Sequence, residues 1–378
     1  MRGSFRVAKL FGIPVELHWS FALLLGWIIF SSISSGASAW GVFINVAFVL
    51  SLFTCVVLHE FGHALTARRF GVNTKDIILS PIGGIARLDK LPEKPFHEFL
   101  VAIAGPAVNV VIAFLLMPYL IIFPVPGFFE NLISMAIFRG APLEFVPGLI
   151  TINFLLAAFN MLPAFPMDGG RILRSLLAIK FPRVTATRIA ARIGQIFAVL
   201  FILWAVLPDE YLPFGISNGG LLTAFIGMFV FLTANQELQS AKLEAVLGSG
   251  MVRDIMRIQF TLIQPSDAVW IPISYHRQNT ESNFLVTDDE GNILGTLQEE
   301  HLMSAIKNNE TEKEIKDLMI EGEVPKLDPM DSLKKAYEKI QSDKFSILPV
   351  VIDNQLVGVL DVKLIAHYLQ MQKKMGSI

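Results

Sequence analysis

Six stretches of this chain, at roughly 17–36, 41–66, 99–124, 146–163, 187–207 and 219–236, carry long apolar runs. A helix needs about 20 apolar residues to cross the hydrocarbon core of a bilayer. Inside that core every backbone polar group must find its partner within the protein. The runs therefore limit residues 1–240 to a polytopic α-helical membrane protein with about six transmembrane helices, its solvent the lipid bilayer. The fourth run is short and ends in Pro163 and Pro166; the fifth begins with Arg188 and Arg192 close to its start. Composition agrees, with 53% hydrophobic and 17% charged residues against roughly 25% charge in soluble domains. Residues 241–378 lack the excess and read as an ordinary α/β domain. The net charge of −2 gives no sign of a nucleic-acid partner. Cys55 is the only cysteine, which excludes a disulfide framework and a cysteine metal cluster; in an apolar run it reads as a small buried hydrophobe.

Basic residues set the orientation. The segment after the second run holds Arg68, Arg69, Lys75, Arg87, Lys90 and Lys94, and that after the fourth holds Arg171, Arg174, Lys180 and Arg183, whereas Arg139 stands alone between the third and fourth. Lys and Arg accumulate on the cytoplasmic side, so six crossings place both termini and the soluble tail in the cytosol and the 125–145 loop outside. Arg2, Arg6 and Lys9 precede the first run, which lacks a clear small-residue cleavage site and reads as a retained span. Segment 67–98 is no span: Ile77 to Ile85 is short and β-like, with turn residues inside it. It predicts a hairpin dipping toward the membrane.

The second run ends Val57-Leu58-His59-Glu60-Phe61-Gly62-His63. Ionisable groups inside a span are costly and mark function by default. On a helix His59 and His63 lie one turn apart on one face, the spacing at which two neutral imidazoles bind one Zn²⁺. Glu60 then sits beside the metal as the base that takes a proton from activated water. A catalytic zinc site has three protein ligands and an open position. The soluble extension with a third histidine is excluded, because Thr66 and Arg69 occupy its places. The best later acid is Asp168, in Asn160-Met-Leu-Pro-Ala-Phe-Pro-Met-Asp168-Gly-Gly-Arg171. The predicted topology puts it at the same membrane depth as the histidines. Pro163 and Pro166 break the helix there, and Gly169 and Gly170 are expected to let the chain turn sharply. A plain N-cap for the following helix is the alternative for Asp168. Asn160 fits either a hydrogen bond to a substrate carbonyl or oxyanion or interhelical packing. Asn109, in Gly105-Pro-Ala-Val-Asn109, has the same two readings, and packing is preferred over substrate binding.

At these residues the chain resembles the site-2 protease family of intramembrane zinc metalloproteases, over roughly residues 5–236. The resemblance rests on His59-Glu60-x-x-His63, Gly105-Pro-x-x-Asn109 and Asn160 through Asp168-Gly169. It implies one Zn²⁺ per chain held by His59, His63 and Asp168, with Glu60 as catalytic base and Asn160 holding the substrate or its oxyanion. Where the family often shows Asn-Pro-Asp-Gly, this chain has Pro-Met-Asp168-Gly. The implied substrate is a transmembrane protein, whose span must unwind before water reaches its carbonyls. The hairpin at 67–98 would pair with the unwound strand.

The tail contains a weak internal repeat, Val252-Arg-Asp254-Ile-Met256 recurring as Ile315-Lys-Asp317-Leu-Met319. Each copy is followed by a helix-like stretch and strands, first Asn283–Thr287 and Ile293–Thr296, then Leu348–Ile352 and Leu356–Leu360. The pattern resembles a tandem pair of cystathionine-β-synthase (CBS) domains, which implies a regulatory or homodimerising role. Nucleotide binding is expected to be weak or absent, because the ribose-and-phosphate signature is degraded at Gly295-Thr-Leu-Gln298 and Gly358-Val-Leu-Asp361, and a carboxylate facing phosphate repels it. A metal or ion transporter with such a tail is the rival class, but it predicts inverted repeats, and none are visible. An inactive scaffold predicts loss of Glu60 or a ligand, and all are present.

Overall fold

The computed structural model describes residues 3–81, 83–89, 92, 94–125, 128, 142–208, 220–278, 280–342 and 344–375. Their contacts divide the chain into two units, Met1–Leu238 and Gln239–Ile378.

The first unit begins with structure the hydropathy reading did not anticipate. Strands β1 (Ser4–Leu10) and β2 (Ile13–His18) form an antiparallel hairpin pairing Leu10 with Ile13. Phe11 and Gly12 between them both have positive φ, as a two-residue hairpin turn requires. The first apolar helix, α1 (Ser20–Ser34), is therefore only 15 residues long. At 1.5 Å per residue that is about 22 Å, less than the hydrocarbon thickness. Among the described residues, five longer helical stretches are apolar enough to cross, Ala39–Arg69, Pro95–Ile122, Pro142–Asn160, Arg183–Val206 and Gly220–Ser249. The expected 125–145 loop lies largely outside the described residues.

Helix α2 (Ala39–Arg69) starts at Ser38, whose side chain accepts from Gly41 N–H. It ends where Gly71, at φ +76°, lets Val72 N–H bond back to Ala67 O. The chain then forms β3 (Thr74–Ser80) and β4 (Gly83–Leu88), giving a four-stranded sheet in the order β1-β2-β3-β4 with β2 and β3 parallel. The predicted hairpin at 67–98 is present, and β4 is an edge of the sheet. Phe61 and Ala64 of α2 pack onto Ile13, Val15, Ile77 and Leu79 of this sheet. The opposite side of α2 carries His59, Gly62 and His63 and meets α3 (Pro95–Leu116), which is followed by α4 (Pro118–Ile122). A Cβ on Gly62 would lie 2.7 Å from Ala104 O, so the two backbones approach as only a small residue allows.

Helices α5 (Phe145–Asn160), α6 (Asp168–Leu177), α7 (Arg183–Val206) and, as far as Leu238, α8 (Gly220–Ser249) complete this part. A buried ionic cluster ties α6 to α3: Arg174 Nε donates to Glu98 Oε1 at 2.6 Å, and Arg183 and Glu237 lie at 3.7 and 3.5 Å from its members. Arg174 is 2% exposed, so one of the charges counted toward orientation is a buried structural partner.

In the second unit the two copies of the sequence repeat become matching 3₁₀ turns, Val252–Asp254 and Ile315–Asp317, each with its first residue fully buried. Strands β5 (Leu262–Ile263), β6 (Phe284–Thr287), β7 (Ile293–Leu297) and β8 (Ile320–Glu321) form one sheet, and β9 (Ile347–Ile352) pairs with β10 (Gln355–Asp361). The residues after each 3₁₀ turn cross over: Ile320 pairs with Thr296 of the first copy, and Arg257 bridges to Val359 of the second. Each copy thus completes the other's sheet, and the repeats fold as one module. Helices α9 (Trp270–Arg277), α10 (Glu299–Lys307), α11 (Leu333–Ser342) and α12 (Val362–Lys374) cover the strands.

Candidate metal centre

One turn of α2 supplies two imidazoles and the first residue of α6 supplies a carboxylate. His59 Nε2 and His63 Nε2 are 3.1 Å apart; Asp168 Oδ2 is 3.3 Å from the first and 3.1 Å from the second. All three residues are buried, and they are the one group of metal-ligating type found among the described residues. Ligand atoms about 2.0–2.1 Å from a tetrahedral zinc ion stand about 3.3–3.4 Å from one another. The observed triangle is close to that.

Hydrogen bonds fix which nitrogens face the centre. His63 Nδ1 is 2.7 Å from the carbonyl of Val101, and His59 Nδ1 is 2.5 Å from Asn109 Oδ1. Both partners are acceptors, so each Nδ1 carries the ring proton and each Nε2 keeps its lone pair. Two lone pairs and a carboxylate then converge with no proton among them, an arrangement that a cation relieves. The donor set of two imidazoles and one carboxylate suits zinc.

The fit extends to the glycines. A Cβ on Gly105 would lie 2.2 Å from His63 Nε2 and 2.7 Å from His59 Nε2, so the absent side chain is what leaves room for the imidazoles against α3. Asp168 is delivered by a similar close approach. Cβ atoms on Gly169 and Gly170 would strike Leu162 O at 2.1 Å and Ala164 C at 2.6 Å. Neither glycine has positive φ. The pair lies within α6 under the incoming loop, and the sharp turn expected at these positions is not their role.

Glu60 turns from this cluster toward the sheet. Its Oε2 accepts from the N–H of Ala86 on β4 at 3.1 Å, and Gly84 passes so near that a Cβ there would lie 2.8 Å from Glu60 Cγ. The edge strand thereby holds the carboxylate from outside α2. The β-like run predicted these strands, but the sequence carried no sign that Gly84 and Ala86 meet Glu60.

The two asparagines differ. Asn109 is completely buried, with its carbonyl on His59 and its Nδ2 donating to Asn153 Oδ1 at 2.8 Å. Both ends of its amide are therefore bonded within the protein, one of them to His59. Asn160 is half-buried at the end of α5, and its side chain makes no hydrogen bond among the described residues. Asn153, on the same helix, escaped the sequence reading because a lone polar residue in an apolar run does not announce its partner.

In the tail, the degraded signature positions have structural uses. Asp361 caps α12 by accepting from Leu364 N–H at 2.8 Å, and Gln298 Nε2 donates to the carbonyl of Lys344.

The model of peptidase family M50 matches residues 47–201, and that of the CBS domain matches residues 315–370. Zinc metalloprotease MJ0392 of Methanocaldococcus jannaschii is 36% identical over 269 residues, covering 71% of this chain and 70% of that protein. Among solved structures, the site-2 protease from Methanocaldococcus jannaschii matches at 36% identity, covering 62% of this chain and 95% of that one, with a TM-score of 0.44. The CBS-pair protein CBSX2 from Arabidopsis thaliana matches at 20% identity over 33% of this chain and 97% of its own, with a TM-score of 0.28.

Proposed function

The chain belongs to peptidase family M50 and is a multi-pass zinc metallopeptidase of the site-2 protease type, and from that premise we propose that it hydrolyses peptide bonds within or near the transmembrane segments of other membrane proteins. The observation that carries this reading is the convergence of His59, His63 and Asp168, with Glu60 next to His59 on a helix long and apolar enough to cross a membrane. His59, His63 and Asp168 hold the zinc. When bound, zinc supplies Lewis acidity to a carbonyl and lowers the pKa of water toward about 7.

The chain's own residues do the rest. Glu60 takes a proton from the attacking water and returns it to the leaving amine. Its tether to Ala86 N–H keeps the carboxylate beside β4, an edge of the sheet among the described residues, at which an unwound substrate would add as a strand. A substrate held there is extended, with its carbonyls released from helical hydrogen bonds and presented near the base. Asn160, with its side-chain amide uncommitted, donates to the substrate carbonyl or the oxyanion that develops on it. The CBS pair tunes activity or assembly and takes no part in bond cleavage. Both termini and the tail face the cytosol.

The test is a set of purified variants measured for zinc content and for cleavage of a transmembrane substrate. Glu60→Gln should keep about one zinc per chain and lose cleavage, because the base is removed and the ligands are not. His59→Ala, His63→Ala and Asp168→Ala should lose both. Full activity in Asp168→Ala would sink the third-ligand assignment, and full activity in Glu60→Gln would sink the base.

A further inference from the structure

The contacts behind His59 have a polarity that can be followed from end to end. The carbonyl of Leu149 can only accept, so the Asn153 atom 2.8 Å from it is the amide nitrogen. Asn153 Oδ1 is then turned to Asn109, where it accepts from Nδ2 at 2.8 Å. Asn109 Oδ1 is left for His59, whose Nδ1, at 2.5 Å, carries the proton. The result is an Nε2 lone pair aimed at His63 Nε2 and Asp168 Oδ2.

Asn109 alone does not secure this outcome. Turned end for end, its amide would offer Nδ2 to the imidazole and favour the other tautomer, with an N–H at Nε2 where a cation is to be bound. Asn109 and Asn153 are both 0% exposed, so bulk water cannot substitute for either partner.

The geometry assigns to Asn153 the part of a positioning residue for the metal centre: from α5 it fixes the Asn109 amide, and through it the tautomer in which His59 can ligate. This rests on the reading of His59 as a ligand. Interhelical hydrogen bonding by asparagine is also ordinary membrane packing, and the test must separate the two roles.

Zinc affinity of the full-length protein, measured by chelator competition on metal-free samples, does so. Asn153→Leu frees the Asn109 amide to turn and should weaken zinc binding by about 10–100-fold, the usual effect of losing a group behind a metal ligand. In Asn109→Asp/Asn153→Leu the residue facing His59 is a carboxylate with two equivalent oxygens and no wrong end, so most of the lost affinity should return. Packing alone predicts no such rescue. Wild-type affinity in Asn153→Leu overturns the proposal, as does a loss that the double variant fails to recover. If Asn153→Leu cannot be purified, Asn153→Ala, alone and with Asn109→Asp, is read in the same way. His59→Ala is measured alongside: if it keeps wild-type affinity, the ligand reading fails and this proposal with it, whereas a zinc-free His59→Ala beside an unaffected Asn153→Leu overturns this proposal alone.

Discussion

Replacing Gly105 by alanine adds one methyl group and should empty the metal centre. The methyl carbon would lie 2.2 Å from His63 Nε2, 2.5 Å from His63 Cε1 and 2.7 Å from His59 Nε2. Non-bonded carbon contacts need about 3.5 Å, so His63 would have to retreat by on the order of 1 Å. Metal–ligand distances tolerate only about ±0.2 Å. Retreat is also blocked from behind. His63 Nδ1 is held by Val101 O, and the two helices are already locked where Gly62 meets Ala104. The remaining way out is for α2 and α3 to separate, at about 1–3 kcal/mol for the overpacking and with loss of the His59–Asn109 bond. Displacing a ligand outright should exceed the about 10–100-fold cost of disturbing a group behind one, so zinc affinity should fall by more than about 100-fold and cleavage with it. The assay is chelator competition on the purified protein, with thermal melting of the metal-free form to show that the fold survives. Gly26→Ala is the control, because nothing lies within 4 Å of its added methyl. Wild-type zinc affinity in Gly105→Ala would refute the account of how α3 shapes the centre.

Gly84→Val should separate base from ligands: its side chain would strike Glu60, so cleavage should drop by at least about tenfold at full zinc content, and zinc loss would show that β4 supports the ligands instead. Arg174→Leu should strand Glu98 in a buried setting with Arg183 only at 3.7 Å, costing about 3–5 kcal/mol; a melting temperature unchanged from wild type would remove this cluster from the forces that seat α6. A cysteine placed in the 125–145 loop of intact cells should react with an impermeant thiol reagent from outside, and labelling only after lysis would overturn the proposed orientation. Calorimetric titration of the full-length protein with ATP should show no micromolar binding, since Asp361 and Gln298 are committed to backbone groups; micromolar affinity would overturn that reading of the tail.

The residues proposed to carry the chemistry were legible because their cost in an apolar run is visible without coordinates. His59, Glu60 and His63 stand out in a span for that reason, and Asp168 stands out because helix-breaking prolines precede it and two glycines follow. What the sequence conceals is sideways contact between helices, which leaves no periodicity. Gly62 reads as an ordinary glycine in an apolar helix and Gly105 only as part of a motif, yet both set how closely α3 approaches the histidines. Asn153 reads as one polar residue among apolar neighbours, and only its placement against Asn109 and Leu149 gives it direction. Hydropathy fails differently at the N-terminus. A window that scores apolar content cannot tell the end of a half-buried strand leading into a short helix from one long span, so the first apolar run takes in Leu17 and His18 of β2, and the sheet that carries β4 to Glu60 stays half hidden. The edge strand depends on the N-terminal hairpin: β2 pairs with β3, β3 with β4, and β4 holds the base. The segment least interpretable as part of a membrane span is therefore connected, strand by strand, to the carboxylate of Glu60, the proposed base.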